Sequence, residues 1–182
     1  MSVLIDAQRS MLLVIDLQEK MLPAIADHDS VAANCQWLIR VAQKIGIPVA
    51  GIEQNPRKLG PSVPEIRALI PAEAIAAKTH FSTVAEQCLG NLPGADRVQV
   101  IVIGVEAHVC VLQSAIDLYN EGKEVYVVAD CIGSRRHLDR DLAIARMRQA
   151  GVRIVSREMV AFEWLGDATT PLFKSISKEF LK

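Results

Sequence analysis

The feature that most constrains the fold is a strongly apolar segment, Gln99–Val105, after which the periodicity of the sequence changes. Its β-branched residues form a run that is long enough for a buried strand and too short for a typical helix. From Cys110 onward, apolar residues recur at helical spacing until Gly122, which predicts the end of a helix. Cys110 is therefore predicted to lie where a buried strand turns into a helix.

This position makes Cys110 a candidate nucleophile. A helix N-terminus presents unpaired backbone N–H groups and the positive end of the helix dipole, and both lower the pKa of a cysteine thiol. The alternative is that Cys110 is a small buried hydrophobe, as most free cysteines are.

Short apolar runs and amphipathic helical segments alternate along the rest of the chain. Strands are predicted at residues 11–16, 48–53, 74–78, 123–130 and 152–156, and helices at residues 31–45, 84–89, 138–150 and beyond 158. This alternation predicts an α/β fold, a three-layer αβα sandwich in which helices cover both faces of an about six-stranded, mainly parallel sheet. No repeat or linker interrupts the pattern, so residues 1–182 are predicted to form a single domain.

Composition and charge argue against several classes of function. The chain has 20 basic and 21 acidic residues, a net charge of -1 and no basic run, so nucleic acid is not an expected partner. No apolar run approaches the ~20 residues of a membrane span, and the start of the chain carries no visible secretory signal. The cysteines form no C-x-x-C pair and no zinc spacing, so we expect reduced thiols in a cytoplasmic protein. They are Cys35, Cys88, Cys110 and Cys131.

Polar side chains stand at the carboxyl ends of the predicted strands, which is where open α/β sheets bind ligands. They are Asp16, Glu53, Lys78 and Cys110, with Asp130 as a fifth. A carboxylate can accept the thiol proton and later return it to a leaving group. A nearby ammonium stabilises a thiolate and keeps the carboxylate ionised. Asp16, Lys78 and Cys110 therefore predict an activated nucleophile that needs no histidine base.

Motifs of other enzyme classes do not occur in the sequence. There is no G-x-S-x-G nucleophile elbow, no G-x-x-x-x-G-K-[ST] phosphate loop and no G-x-G-x-x-G fingerprint. His80 and His108 lie next to candidate site residues, but neither has a partner at metal-ligand spacing. We therefore expect neither a metal ion nor a cofactor.

Four segments together resemble the isochorismatase-like cysteine hydrolase superfamily. They are LVIDLQ at 13–18, KTHFS at 78–82, GVEAHVCV at 104–111 and VADCIGSR at 128–135. The resemblance extends along nearly the whole chain, and it implies a Rossmann-like αβα fold with an Asp–Lys–Cys triad that mostly cleaves C–N bonds of amides. By position, the triad falls on Asp16, Lys78 and Cys110.

The resemblance also implies a mechanism and an unusual backbone. The family's cis peptide bond would fall between Val105 and Glu106, and the backbone N–H groups of Glu106 and Cys110 would form an oxyanion hole. Asp16 would deprotonate Cys110, the thiolate would attack a carbonyl carbon, ammonia or an amine would leave, and water would hydrolyse the thioester. The expected partner is thus a small-molecule substrate.

The sequence departs from the best-known members of this superfamily. Nicotinamidases carry an Asp and two His after the second strand to hold a metal ion, whereas residues 53–60 here contain no histidine. The usual Thr-Asp pair before the cysteine is replaced by Ala107 and His108. The chain therefore resembles a metal-free isochorismatase-domain branch whose substrates are generally unassigned. Residues beyond the triad that could line a substrate pocket are Gln18, Glu53, Phe81 and His108.

Three functions from different classes remain open at this point. Besides a thiol amidohydrolase, the fold could support vinyl-ether hydrolysis without a covalent intermediate, or a non-enzymatic interaction module with an unreactive Cys110. A redox role is weaker, because no resolving cysteine is near in sequence, although Cys131 could approach in space. The apolar residues of the C-terminal tail, together with the resemblance, predict a homo-oligomer (a dimer or larger); they are Phe162, Trp164, Leu165 and Phe173.

Overall fold

Six parallel strands form one sheet in the computed structural model, which describes residues 4–181. Residues 1–3 and 182 of the predicted domain lie outside the described residues. The strands are β1 Ser10–Ile15, β2 Val49–Gln54, β3 Ile75–Lys78, β4 Gln99–Val105, β5 Glu124–Gly133 and β6 Arg153–Val155. Their order is β3-β2-β1-β4-β5-β6, and every neighbouring pair is parallel. The predicted α/β sandwich is confirmed, with a fully parallel sheet.

Helices cover both faces of this sheet. They are α1 His28–Ile45, α2 Pro56–Leu59, α3 Pro64–Arg67, α4 Leu112–Asn120, α5 His137–Gln149, α6 Arg157–Leu165 and α7 Pro171–Phe180. A π-helical turn, Ala107–Val111, leads into α4. Helices α1, α6 and α7 pack on one face, and α4 and α5 pack on the other. Among the helices within residues 4–181, none combines the length and apolar character that a membrane span requires.

The strands are apolar along their length because both faces of the sheet are buried. In β1, Leu12 and Val14 face α1, whereas Met11, Leu13 and Ile15 face α4 and α5. Successive side chains of a strand point to opposite faces, so a strand covered on both sides needs apolar residues at every position. This explains why the sequence shows continuous apolar runs instead of alternation.

The strand order reverses between β1 and β4, and this reversal opens a crevice at the carboxyl ends of the two strands. Such a switch point is where doubly wound α/β sheets bind ligands. Gly104 lets the two backbones approach closely there. It has a φ of 136°, and an added Cβ would lie 2.0 Å from the carbonyl oxygen of Ile15. Only glycine fits this position.

The helix predicted at residues 84–89 is wrong, because this segment forms a series of turns. Gln87 has a left-handed backbone with a φ of 53°, which interrupts a right-handed helix. The Glu86 carboxylate instead accepts hydrogen bonds from the backbone N–H groups of Thr79 (2.9 Å) and His80 (2.8 Å). Local bonds of this kind compete with helix formation, and here they fold the segment back onto the end of β3.

Candidate active site

Asp16 follows β1 directly and lies at the bottom of the crevice. Asp16 is fully buried, and its backbone is left-handed with a φ of 58°. A non-glycine residue rarely adopts this conformation, and such residues concentrate at functional sites. The backbone N–H of Asp16 donates to the carbonyl oxygen of Ile52 at 2.9 Å, which ties the turn to β2.

Lys78, the last residue of β3, forms a buried ion pair with Asp16. Its Nζ lies 3.1 Å from Asp16 Oδ2, and neither side chain is exposed to solvent. The ammonium also donates to Gln54 Oε1, and Gln54 pairs with Lys78 in the parallel register of β2 and β3. Burial raises the pKa of Asp16, and the nearby Lys78 charge opposes that rise. The ammonium therefore favours the ionised form of the carboxylate against the effect of burial.

Cys110 lies in the π-helical turn after β4, and only 2% of the residue is exposed. Burial raises the pKa of the Cys110 thiol, and the neighbouring Asp16 carboxylate raises that pKa further. The expectation of a lowered cysteine pKa at a helix N-terminus is therefore wrong. Loss of hydration and a nearby negative charge outweigh the helix end and Lys78. The resting group is a neutral thiol beside a carboxylate.

The second oxygen of Asp16 is not engaged by Lys78. Within the described residues, Asp16 Oδ1 is buried and accepts no hydrogen bond of ordinary geometry. The Cys110 thiol is among the groups that interact with this carboxylate, and its Sγ also lies 4.0 Å from Gln54 Oε1. The three residues predicted from the strand ends are thus brought together.

Gln54 belongs to this cluster, although no pattern in the sequence predicts a role for it. Its Nε2 donates to the carbonyl oxygen of Thr79 at 2.7 Å, which turns Oε1 toward Lys78 and Cys110. The predicted residue on the same strand was Glu53, one position earlier. Side chains alternate along a strand, so only one of the two neighbours can face the site.

The predicted pocket roles of Gln18 and Glu53 are wrong. Gln18 is fully buried, and its amide bonds to the backbone of Gln54 and Gly60 at 2.6 to 3.0 Å. Glu53 Oε1 accepts hydrogen bonds from Ser62 N (2.6 Å) and Ser62 Oγ (2.8 Å). Both side chains face the loop between β2 and α3 and hold it against the sheet. The Gln18 amide and Glu53 Oε1 are therefore engaged within the protein.

The remaining predicted residues divide between the site and its surroundings. Phe81 is half exposed and lines a cavity above Cys110. His108 is not among the residues that line this cavity, and its Nδ1 is 3.0 Å from Ser134 Oγ. Asp130 lies within β5, because this strand continues to Gly133, and its carboxylate accepts the backbone N–H of Arg157 at 2.9 Å. Asp130 therefore takes no part in the site.

The cavity above Cys110 has a volume of about 330 Å³. Cys110 and Gln54 lie in its lining, with apolar side chains beside them and charged groups from three different segments. The apolar residues include Met21, Leu59, Phe81 and Val109, and the charged residues are Lys20, Glu106 and Arg135. The cavity suits a small molecule that carries both apolar and polar groups.

The predicted cis peptide bond is also wrong. Every peptide bond within residues 4–181 is trans, including the one between Val105 and Glu106. The turn from β4 into the π-helical segment is made instead by a left-handed Glu106, with φ 55° and ψ 54°. This rotation supplies the change of chain direction without a cis bond. An oxyanion hole from the N–H groups of Glu106 and Cys110 stays a prediction.

Neither a metal cluster nor a disulfide occurs in the part of the chain that the structure describes. No group of three or more His, Cys, Asp or Glu residues is placed to hold a metal ion. Cys131 does not approach Cys110, because the two belong to the cores on opposite faces of the sheet. Cys131 lies instead beside Cys35, whose Sγ donates to its carbonyl oxygen at 3.2 Å.

Comparison with known proteins gives a consistent result. The isochorismatase domain model matches residues 10–159. Isochorismatase domain-containing protein 2 of Danio rerio is 38% identical over 177 residues, which cover 96% of this chain and 88% of that protein. A Caenorhabditis elegans structure described as MAR1 ribonuclease is 35% identical, with a TM-score of 0.87 over 98% of this chain and 92% of that one. The YcaC gene product of Escherichia coli, described as an octameric hydrolase of unknown specificity, is 26% identical, with a TM-score of 0.86 over 92% and 85%.

Proposed function

The chain belongs to the isochorismatase domain family, and we propose that it is a cysteine hydrolase that cleaves a C–N bond of a small-molecule amide. The observation that carries the proposal is the position of the Cys110 thiol in the lining of the cavity, beside the buried Asp16–Lys78 ion pair. A nucleophile, a proton acceptor and a cation that keeps the acceptor ionised are the parts that acyl transfer through a thioester needs.

In the proposed first half-reaction, Asp16 takes the thiol proton while Cys110 Sγ bonds to the carbonyl carbon. The carbonyl oxygen gains the electron pair of its π bond, and the predicted N–H donors of Glu106 and Cys110 stabilise it. When the oxyanion collapses, the C–N bond breaks and the nitrogen leaves with the proton from Asp16. The products are a thioester and ammonia or an amine.

In the second half-reaction, water attacks the thioester carbon and Asp16 takes a proton from that water. The C–S bond then breaks, the carboxylic acid leaves, and the sulfur recovers its proton from Asp16. Because the pKa of Cys110 is raised, proton transfer accompanies attack in this scheme and no thiolate is stored beforehand. Lys78 keeps Asp16 ionised between the two steps.

The first test is the pH dependence of Cys110 alkylation by iodoacetamide. Asp16 accepts the proton only when it is ionised, and burial raises its pKa, so the rate should fall as the pH falls through this raised pKa. The acidic limb should lie above the pH of about 4 where an exposed aspartate titrates. Peptide mass spectrometry, from about pH 4 to pH 9, gives the rate at Cys110 alone.

Asp16→Asn should remove this acidic limb, because asparagine cannot accept the proton, and leave a pH dependence set by the Cys110 thiol itself. Free glutathione, alkylated under the same conditions, serves as the reference for an unassisted thiol. A Cys110 that titrates like glutathione in both proteins would remove the basis of the proposed mechanism.

We propose a small molecule as the substrate, although the Caenorhabditis elegans relative is described as a ribonuclease. The cavity of about 330 Å³ and the buried thiol suit a compact substrate. The chain has a net charge of -1 and no basic run that would attract an RNA backbone.

We also propose that the chain forms a homo-oligomer in the cytoplasm. Trp164 packs in the core of its own subunit, where its Nε1 donates to Ser10 Oγ. Phe162 and Leu172 remain exposed on α6 and α7, however, and the E. coli relative is described as octameric. Four free cysteines suit a reducing compartment.

Multi-angle light scattering should therefore give a mass of two or more subunits, each of 19.9 kDa. Phe162→Glu, which places a charge on the exposed apolar surface, should shift the mass toward one subunit. A wild-type mass of a single subunit would contradict the proposal.

A further inference from the structure

Glu106 carries a buried carboxylate oxygen that forms no hydrogen bond with any other residue between 4 and 181. Its side chain is only 13% exposed, and its Oε1 lies 3.1 Å from Arg135 Nε. Within the described residues, Oε2 is buried and has no hydrogen-bond partner. Leaving a buried polar atom without a partner costs free energy, and the cost is larger for charged groups. The unpaired oxygen is therefore expected to have a partner in the working protein.

His108 does not supply that partner. Its Nε2 lies 3.3 Å from Arg135 Nη2, which is a donor, so Nε2 acts as the acceptor and the ring proton lies on Nδ1. Nδ1 is 3.0 Å from Ser134 Oγ but 3.6 Å from Glu106 Oε2. The ring proton is therefore directed to the serine.

The two cations of the cavity are already engaged with protein acceptors. Arg135 is paired with Glu106 Oε1 and His108, and Lys20 Nζ donates to the carbonyl oxygen of Lys58 at 3.0 Å. The unsatisfied group among these charged side chains is thus an acceptor, and what it lacks is a hydrogen-bond donor. Glu106 lines the same cavity as Cys110 and Gln54.

The backbone of Glu106 is also held in an unfavourable state. Its left-handed φ of 55° is disfavoured for most residues that carry a Cβ, whereas glycine or asparagine would adopt it more easily. Strained residues that persist in a fold concentrate at ligand-binding positions. A glutamate here fits a role for its carboxylate in the cavity.

We propose that Glu106 determines substrate specificity by accepting a hydrogen bond from a substrate N–H through Oε2. This inference rests on the proposed function. The substrate class is then an amide or ureide that carries an N–H beside its scissile carbonyl. Esters and tertiary amides, which place no donor there, leave Glu106 Oε2 buried and unpaired, and the site rejects them.

Two alkylating probes of nearly equal shape test this directly. N-methyl iodoacetamide and methyl iodoacetate differ by an N–H in place of an oxygen. The rate at Cys110 is measured for each by peptide mass spectrometry and divided by the rate with glutathione, which removes the intrinsic reactivity. In wild type, the amide should be favoured over the ester by about tenfold or more, as expected for a hydrogen bond to a charged acceptor.

Glu106→Gln should abolish or invert this preference. Arg135 is a donor, so it should retain the glutamine carbonyl, and the NH₂ group would then occupy the position of Oε2. Glu106→Asn also removes the carboxylate, and asparagine tolerates the left-handed backbone. This variant replaces Glu106→Gln in the experiment if the glutamine variant does not fold. Glu65→Gln, at an exposed position outside the cavity, is the matched control and should keep the wild-type preference.

The possible outcomes separate the two proposals. If Cys110 reacts but discriminates no better than glutathione, or if both Glu106 variants keep the amide preference, the role of Glu106 is overturned and the proposed function stands. If Cys110 reacts with neither probe, the proposed function fails and the specificity role fails with it.

Discussion

Cys110→Ala is expected to lower amide hydrolysis by roughly 10⁴- to 10⁶-fold, the range seen when a covalent nucleophile is removed from an intact site. Alanine keeps the π-helical turn and leaves Asp16, Lys78 and Gln54 in place, but no atom can then bond to the carbonyl carbon. The thioester intermediate should disappear with the activity. Ammonia release from a panel of small primary amides gives the rate, and intact-protein mass spectrometry after acid quench detects the thioester.

Cys35→Ala is the matched control for this experiment. Cys35 is as deeply buried as Cys110, but it belongs to the core on the opposite face of the sheet. Both substitutions remove one buried sulfur and should cost a similar free energy of unfolding. Only Cys110→Ala should remove the activity, so equal losses in the two variants would indicate a general effect on the fold.

The same variant separates the three functions that the sequence leaves open. Vinyl-ether hydrolysis without a covalent intermediate would survive Cys110→Ala and be lost with Asp16→Asn, because that reaction needs a proton donor and no sulfur. An interaction module would show no turnover in any variant and an unreactive Cys110. Full amide hydrolysis by Cys110→Ala would exclude the thioester mechanism.

The fold and the convergence of three strand-end residues could be predicted because both depend on features that a single sequence displays. Strands buried on both faces give unbroken apolar runs, and the carboxyl ends of parallel strands meet at one edge of the sheet. Asp16, Lys78 and Cys110 follow or end such runs, so their convergence needed no knowledge of side-chain packing. The structure then joins Asp16 and Lys78 at 3.1 Å.

The features that the sequence did not predict depend on how deeply single side chains are buried and on which way they point. Glu53 and Gln54 are neighbours at the end of β2, and only the pleat of the strand decides which one faces Lys78. Gln18 is a polar residue near Asp16 in the sequence, and this suggested a role in the pocket. In the structure, both the NH₂ group and the carbonyl oxygen of its amide bond to the backbone of Gln54 and Gly60. The raised pKa of Cys110 follows from its burial, which no local pattern reveals.

Lys78→Met is expected to reduce both stability and activity, for one physical reason. It leaves the Asp16 carboxylate buried without a cation, and breaking a buried ion pair in this way typically costs about 3–5 kcal/mol. The pKa of Asp16 should rise further, because the charge that opposes the effect of burial is gone. A larger fraction of Asp16 would then be protonated and unable to take the thiol proton, so amide hydrolysis and Cys110 alkylation should both fall.

The pH dependence of unfolding distinguishes this cause from a simple packing defect. In Lys78→Met, the folded state holds the Asp16 proton more tightly than the unfolded state does, because the folded pKa is raised. The free energy of unfolding should therefore increase as the pH falls below that raised pKa toward the pKa of about 4 that an aspartate has in the unfolded chain. A packing defect would lower stability equally across this range. Urea unfolding at several pH values gives the free energies.

The double variant Asp16→Asn with Lys78→Met tests whether the lost stability comes from the unpaired carboxylate. It removes the buried charge together with its partner, so it should recover most of the stability that Lys78→Met loses. It should recover no activity, because asparagine cannot accept the thiol proton. Recovery of both would mean that the ion pair serves the fold alone. Recovery of neither would mean that Lys78 supports the fold through its side-chain packing and its bond to Gln54.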